Sequence, residues 1–175
     1  GSELSESFST ASDKTKSNFK TWIQGDYNDS NYFEDLDQCL NDFSADIPEF
    51  DYKITNDDDA LYIYTSGTTG NPKAAKISHK RLRLMMLGFK GAVQPNKNDR
   101  VYNVLPLYHS AGGVIAVGLA LTSGASLVLK RKFSVNEFWD DVHKYKVTIF
   151  QYIGELCRYL LNAPYHKHEK DHNLR

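Results

Sequence analysis

The sequence predicts an α/β fold, a mostly parallel sheet flanked by helices. Three observations predict it. From residue 60 onward, short runs rich in β-branched and aromatic residues alternate with segments of helical periodicity, the pattern of strands joined by helical crossovers. The texture changes at about that point: residues 1–56 are dominated by Ser, Asp, Asn and Thr with scattered aromatics, whereas the remainder is apolar in regular blocks. Finally, 175 residues of which 41% are hydrophobic supply one ordinary core.

Each element follows from its residues. The opening stretch to about Lys16 is polar enough to predict disorder. Phe33, Leu36, Leu40 and Phe43 recur at helical spacing and predict a short amphipathic helix over 31–43, packed on the domain's flank. Leu61-Tyr62-Ile63-Tyr64 is a strand by composition, followed by a Gly/Thr loop, a short returning strand over 74–78 and a helix over 79–92. The pattern continues with strand 101–105, helix 112–122, strand 125–130, helix 134–145, strand 147–152 and helix 154–162. The tail from Pro164, with His166, His168 and His172, reads as a solvated loop, and no metal ligand is assigned there or elsewhere. The chain therefore divides into an acidic, partly disordered segment (1–56) and an α/β part (57–175), without internal repeats.

Charge follows the same division. Residues 1–59 carry 15 acidic and 4 basic side chains, residues 60–175 carry 7 and 17, and the formal total of −1 conceals the difference. A cationic second part suits anionic ligands such as nucleotides, CoA or a phospholipid surface, or else presents a solvated basic face. Cys39 and Cys157 are far apart and form no CxxC pair, which argues against a disulfide framework and a thiolate zinc site. Residues 111–129 hold no charge, but Gly112-Gly113 and Thr122-Ser123-Gly124 interrupt them. Helix, turn and buried strand explain that run better than a membrane span.

The most informative stretch is Thr65-Ser66-Gly67-Thr68-Thr69-Gly70-Asn71-Pro72-Lys73. Its glycines let backbone N–H groups approach an anion, its hydroxyls donate to phosphate oxygens, and Lys73 supplies a positive charge. It is neither GxxxxGK[ST] nor GxGxxG. The plainer reading is a polar turn, but a turn has little use for so many hydroxyls followed by a lysine.

With Tyr64 in front, this loop resembles the signature of the adenylate-forming superfamily, which includes acyl-CoA synthetases, luciferases and peptide-synthetase adenylation domains. Further blocks resemble the fatty acid transport protein and very-long-chain acyl-CoA synthetase family. They are Tyr62-Ile63-Tyr64, Ala74-Ala75, Leu105-Pro106-Leu107-Tyr108-His109-Ser110-Ala111-Gly112, Lys132-Phe133 with Phe138-Trp139-Asp140-Asp141, and residues 151–161. They occur in family order over about 58–175; residues 3–56 match nothing recognised.

The resemblance implies an ATP-dependent fatty acid CoA ligase that joins a carboxylate to the α-phosphate of ATP and passes the acyl group to CoA. On that reading Thr65, Ser66, Gly67, Thr68, Thr69, Gly70 and Lys73 hold the phosphates, with Lys73 and His109 nearest the chemistry. Tyr108, His109, Tyr152, Gly154 and Glu155 border the acyl–pantetheine side. His109 can equally be a packing residue, and Leu156, Tyr159 and Leu160 at helical spacing read as core. Mg2+ is expected with ATP, although no evident carboxylate for it is supplied. The expected partners are long-chain fatty acid, ATP and CoA, with peripheral contact at an endoplasmic reticulum, peroxisomal or plasma membrane surface and no nucleic acid.

The resemblance also implies machinery beyond Arg175: the adenine-binding segment, the later acidic motif, and a small domain carrying a further lysine. The chain then reads as an incomplete portion of the large domain, and Gly1-Ser2 as a tag-cleavage scar. A deliberately expressed piece, a shortened gene model and a natural short homologue compete as explanations. The alternative function is a non-catalytic nucleotide-binding or lipid-transport module.

Overall fold

Strand β5 (Arg100–Asn103) organises the part of the chain from residue 53 onward, because it is buried on both faces and the other strands of the parallel sheet are placed against it. The computed structural model describes residues 1–15, 20–26, 33–65 and 70–175. The chain forms two compact units, Gly1–Tyr52 and Lys53–Arg175.

In the first unit a 3-10 turn (Ser2–Leu4) leads into helix α1 (Ser5–Thr15). The disorder predicted here is thus corrected. One aromatic outweighs the polar composition: Phe8 lies 5.5 Å from Phe33, ring to ring, and Phe33 is buried. Strands β1 (Trp22–Ile23) and β2 (Glu34–Asp35) pair in parallel. The helix expected over 31–43 is only α2 (Leu36–Asn41), and residues 31–32 lie outside the described set. Its start is set by Asp35, whose carboxylate accepts the Gln38 N–H at 3.0 Å, an N-cap that leaves Phe33 outside the helix.

In the second unit β3 (Asp59–Thr65) and β4 (Lys73–Ser78) form an antiparallel hairpin. Ser78 caps helix α3 (His79–Val93) by accepting the Arg81 N–H. Gln94 ends that helix in the left-handed region (φ 50°). Next come β5 (Arg100–Asn103), a π-helical segment (Ser110–Ala116), α4 (Val117–Ser123) and β6 (Ser126–Leu129). Helix α5 (Val135–Lys144), β7 (Ile149–Gln151) and α6 (Gly154–Leu161) complete the order. The parallel sheet runs β6-β5-β7, with Val101 opposite both Leu127 and Ile149.

Alternation along β5 sends consecutive side chains to opposite faces. Tyr102 joins Phe138 and Val142 of α5, Val147 and Leu156 on one side, while Val101 meets Ala116, Leu119 and Ile149 on the other. The helices therefore cover both faces, as a parallel sheet requires. Phe138, 1% exposed, is the hub: its ring stands edge-on to Tyr102 at 5.8 Å and lies 4.8 Å from Phe150. The Tyr102 hydroxyl donates to Asp141 at 2.7 Å, and Lys130 meets the same carboxylate at 2.9 Å. Burial, then that hydrogen bond, raises the Tyr102 pKa, so the phenol stays neutral.

Two further expectations change. Tyr159, read as core, is exposed, with the Arg158 guanidinium 5.9 Å from its ring; Leu156 is buried and Leu160 packs on the core. The tail has no helix or strand, as expected of a loop, but it is not simply solvated: Leu174 packs against the Tyr102–Phe138 cluster. The Arg175 N–H donates to the Thr148 carbonyl at 3.1 Å. Among the described residues no helix is long and apolar enough to cross a membrane.

The tail ends on a buried acid. Asp99, 4% exposed, accepts from Arg175 at 2.9 and 3.2 Å, from the Thr148 hydroxyl at 2.7 Å and from Asn96 at 2.8 Å. Arg175 first, with these other donors, holds its pKa down at about 2 from 3.8. A depressed carboxyl stabilises the fold above its unfolded pKa and loses that contribution as pH falls through the folded value. Urea unfolding of the chain is expected to lose about 2 kcal/mol between roughly pH 5 and pH 2 through this group, and Asp99→Asn is expected to lack that increment. Phe138→Ala is expected to cost about 3–5 kcal/mol in the same assay.

Candidate active site

The amide of Asn103 turns the chain out of the sheet. Asn103 is fully buried; its Oδ1 accepts the Leu105 N–H at 3.1 Å and its Nδ2 donates to the Leu105 carbonyl at 3.3 Å. The side chain satisfies backbone groups that the ladder would otherwise pair, so the strand predicted to reach 105 stops at 103. Residues 104–109 then run away from the carboxyl end of β5. Because Asn103 pairs with Gln151, β7 ends at the same level and releases residues 152–155 beside them. In open α/β sheets this carboxyl edge is where ligands bind.

His109 begins the π-helical segment. Its Nδ1 accepts the Ala111 N–H at 3.2 Å, its own N–H donates to Pro106 at 3.1 Å, and its carbonyl accepts from Gly113 at 2.8 Å. An accepting Nδ1 places the ring proton on Nε2, so a neutral His109 presents one outward donor. Two glycines make this possible. A Cβ on Gly113 would lie 1.9 Å from the Leu107 carbonyl oxygen, and one on Gly112 would lie 2.4 Å from that of Pro106. Tyr108 is 85% exposed and Tyr152 is 52% exposed; Gly154 and Glu155 open α6, where Glu155 pairs with Arg158.

The hairpin carries the other predicted set. Thr65 and Lys73 are register partners, and the Thr65 hydroxyl donates to the Lys73 carbonyl at 3.3 Å. Ser66, Gly67, Thr68 and Thr69 lie outside the described residues. Gly70 is exposed with open space around its Cβ position. The neighbouring Lys76 is occupied by Asp59 at 3.1 Å, whereas Lys73 is exposed at the mouth of the hairpin. Helix α3 joins the two sets: it starts directly after β4 and packs on α4 and the π-helical segment. Gly118 permits that packing, since a Cβ there would lie 2.4 Å from Met86 Cγ. The structure thus brings Tyr108 and His109 to the same edge as Tyr152, Gly154 and Glu155, and places Thr65 and Lys73 on the hairpin. A cleft of about 330 Å³ beside Asn56, Lys80, Arg83 and Leu87 is lined by none of them.

The sequence profile of the AMP-binding enzymes matches residues 5–175. The chain belongs to the AMP-binding enzyme family. Within that family it is 52% identical over 118 residues to long-chain fatty acid transport protein 3 of Mus musculus, covering 67% of this chain and 18% of the relative. It is 50% identical over 119 residues to the human long-chain fatty acid transport protein 1, covering 68% and 18%. The crystal structure of ATP-bound MatB from Rhodopseudomonas palustris superimposes with a TM-score of 0.66 at 27% identity, covering 74% of this chain and 25% of that one. The chain thus spans about a fifth of the length of the curated relatives it matches.

Sequence reasoning assigns no role to three residues that shape this edge. Asn103 stands at the end of a strand, Gly112 closes the 105–112 block, and Gly113 reads only as a break in an apolar run. Their signal was proximity: an Asn ending a β-run and a Gly pair three residues after His109. Gly113→Ala is expected to destabilise the chain by roughly 2 kcal/mol or more and to shift the His109 ring resonances in NMR spectra. An unchanged His109 environment in a normally folded Gly113→Ala chain would show that the close approach to Leu107 does not position the imidazole.

Proposed function

We propose that the chain is part of an ATP-dependent ligase for long-chain fatty acids, which adenylates the carboxylate and then transfers the acyl group to CoA. The observation that carries this reading is the register Asn103↔Gln151, which delivers the Tyr108–His109 and Tyr152–Glu155 segments to one edge of the sheet. The names of the relatives, long-chain fatty acid transport proteins, support the acyl substrate. ATP in the MatB structure supports the nucleotide.

The roles follow from the donors. Lys73, with Thr65, Ser66, Gly67, Thr68, Thr69 and Gly70 before it, binds the triphosphate and offsets charge on the departing pyrophosphate, while the Thr65 hydroxyl holds the mouth of the hairpin through the Lys73 carbonyl. The Nε2–H of His109 orients the fatty acid carboxylate toward the α-phosphate. Tyr108, Tyr152, Gly154 and Glu155 line the approach of the acyl chain and of the CoA arm. The donor set at the hairpin mouth is cationic and hydroxylic, which fits phosphate and not a bare cation; Mg2+ carried on the triphosphate would supply further neutralisation of phosphate charge. The parent protein works at a membrane surface, where its acyl substrate partitions.

A second reading, a nucleotide-binding or lipid-interaction module without turnover, is favoured by the openness of the acyl side, where Tyr108 is almost wholly exposed. On our reading the 175-residue chain by itself forms no AMP from ATP and fatty acid, while a protein of the relatives' full length does. Calorimetric titration of Mg-ATP into this chain is expected to give saturable binding, weakened at least about tenfold by Lys73→Ala. Equal binding by both proteins would remove Lys73 from the site.

A further inference from the structure

Four of the five histidines that the phosphate and acyl chemistry leaves aside, His143, His166, His168 and His172, gather where α5 meets the segment after α6. His143 lies in the last turn of α5, and the segment after α6 returns across that helix to place His168 against it. The two imidazoles stack at 3.9 Å with their planes 16° apart. Both turn Nδ1 toward one carboxylate oxygen: Asp171 Oδ2 is 3.3 Å from His143 Nδ1 and 3.9 Å from His168 Nδ1. The Asp171 carbonyl oxygen is also 3.3 Å from His143 Nδ1. One donor atom from each of the three residues falls within a span of 4.8 Å.

We infer that His143, His168 and Asp171 bind one divalent transition-metal ion of the zinc class, which fastens the segment after α6 onto α5. Metal–ligand bonds of about 2.0–2.1 Å in a tetrahedron put neighbouring donor atoms about 3.3 Å apart, so the His143–Asp171 edge already has the required length. The His168–Asp171 edge needs a shift of about half an ångström. Because the two rings lie face to face, one imidazole also turns out of the stack to bring its in-plane Nδ1 lone pair onto the ion. Two imidazoles and one carboxylate select zinc, cobalt, nickel or copper over the oxygen-seeking calcium and magnesium. Solvent supplies the remaining ligand.

The surroundings fit the same ion. Asp140 Oδ1 lies 3.8 Å from His168 Nε2, on the opposite side of the ring from Asp171. At that distance the carboxylate is not hydrogen-bonded to the ring, but its charge favours a proton on Nε2 and so leaves the Nδ1 lone pair for the metal. His172 takes no part: its ring stacks on Trp139 at 5.3 Å, and its Nδ1 accepts the Leu174 N–H. The ion would secure a segment that otherwise holds by this stack, by Leu174 and by Arg175. The site is independent of the ligase reading, since α5 and the tail carry none of its residues.

Cobalt(II) titrated into the metal-free chain is expected to produce visible d–d absorption that saturates at one equivalent and is displaced by zinc. Saturating zinc is expected to raise the melting temperature of the unsubstituted chain. His143→Ala, His168→Ala and Asp171→Asn should each weaken binding by at least about tenfold, and Asp140→Asn by roughly tenfold through orientation alone. His172→Ala should bind as the unsubstituted chain does. Asp171 is 74% exposed at its side chain, so its substitution leaves the fold intact and decides the matter if the histidine variants unfold. Failure of the unsubstituted chain to bind cobalt, or full binding by Asp171→Asn, would overturn the inference.

Discussion

The pairing of one buried amide with the backbone of one residue two positions on determines how the second unit is used. Asn103 sits in the middle of the sheet, fully buried, and spends its donor and acceptor on Leu105. Without that closure the Leu105 N–H and carbonyl would lie buried without these partners, at a cost of a few kcal/mol. With it, the chain turns sharply, Gly112 and Gly113 slide under the turned loop, and the π-helical segment starts at His109. Helix α4 then continues from that segment and covers the Val101 face of the same strand. The covered face and the exposed loop are thus consequences of one side chain.

Much of this architecture was legible before any coordinates. Alternation of β-rich and helical runs located the hairpin, the three parallel strands and their helices, because burial on both faces leaves a continuous apolar signature in β5 and on the inner stripes of α5 and α6. Strand ends were less legible. The ladder at β5 is ended by Asn103, and no periodicity reports a side chain competing with the backbone. The first unit misled for a related reason: a composition average registers the Ser and Asp content of α1 but not that Phe8 has Phe33 to pack on. The Asp35 cap likewise overrode an apolar spacing that suited a longer helix.

The site was legible in a different way. The residues of the hairpin mouth and of the 105–112 block stand out by type, since hydroxyls, glycines and a lysine are poor choices for packing. Their company could not be read from type alone. Only the parallel register shows that the 105–109 and 152–155 segments, more than forty residues apart, leave the sheet side by side. The histidine cluster gave the opposite lesson. His168 and Asp171, in a polar tail, look solvated until the tail is seen to cross α5, where Leu174 and Arg175 anchor it to the core and to Asp99.

The contact between Trp139 and His172 gives that tail an optical signature. An indole stacked on an imidazole loses excited-state energy to it, and the loss deepens when the imidazole takes up a proton. Trp139 stands in the second unit and Trp22, the only other tryptophan in the sequence, in the first. A Trp22→Phe chain would therefore emit from a single reporter placed under the returning segment. Release of the segment would brighten it while the sheet stayed folded. The molecule thus carries its own gauge for separating detachment of its last dozen residues from unfolding of the core beneath them.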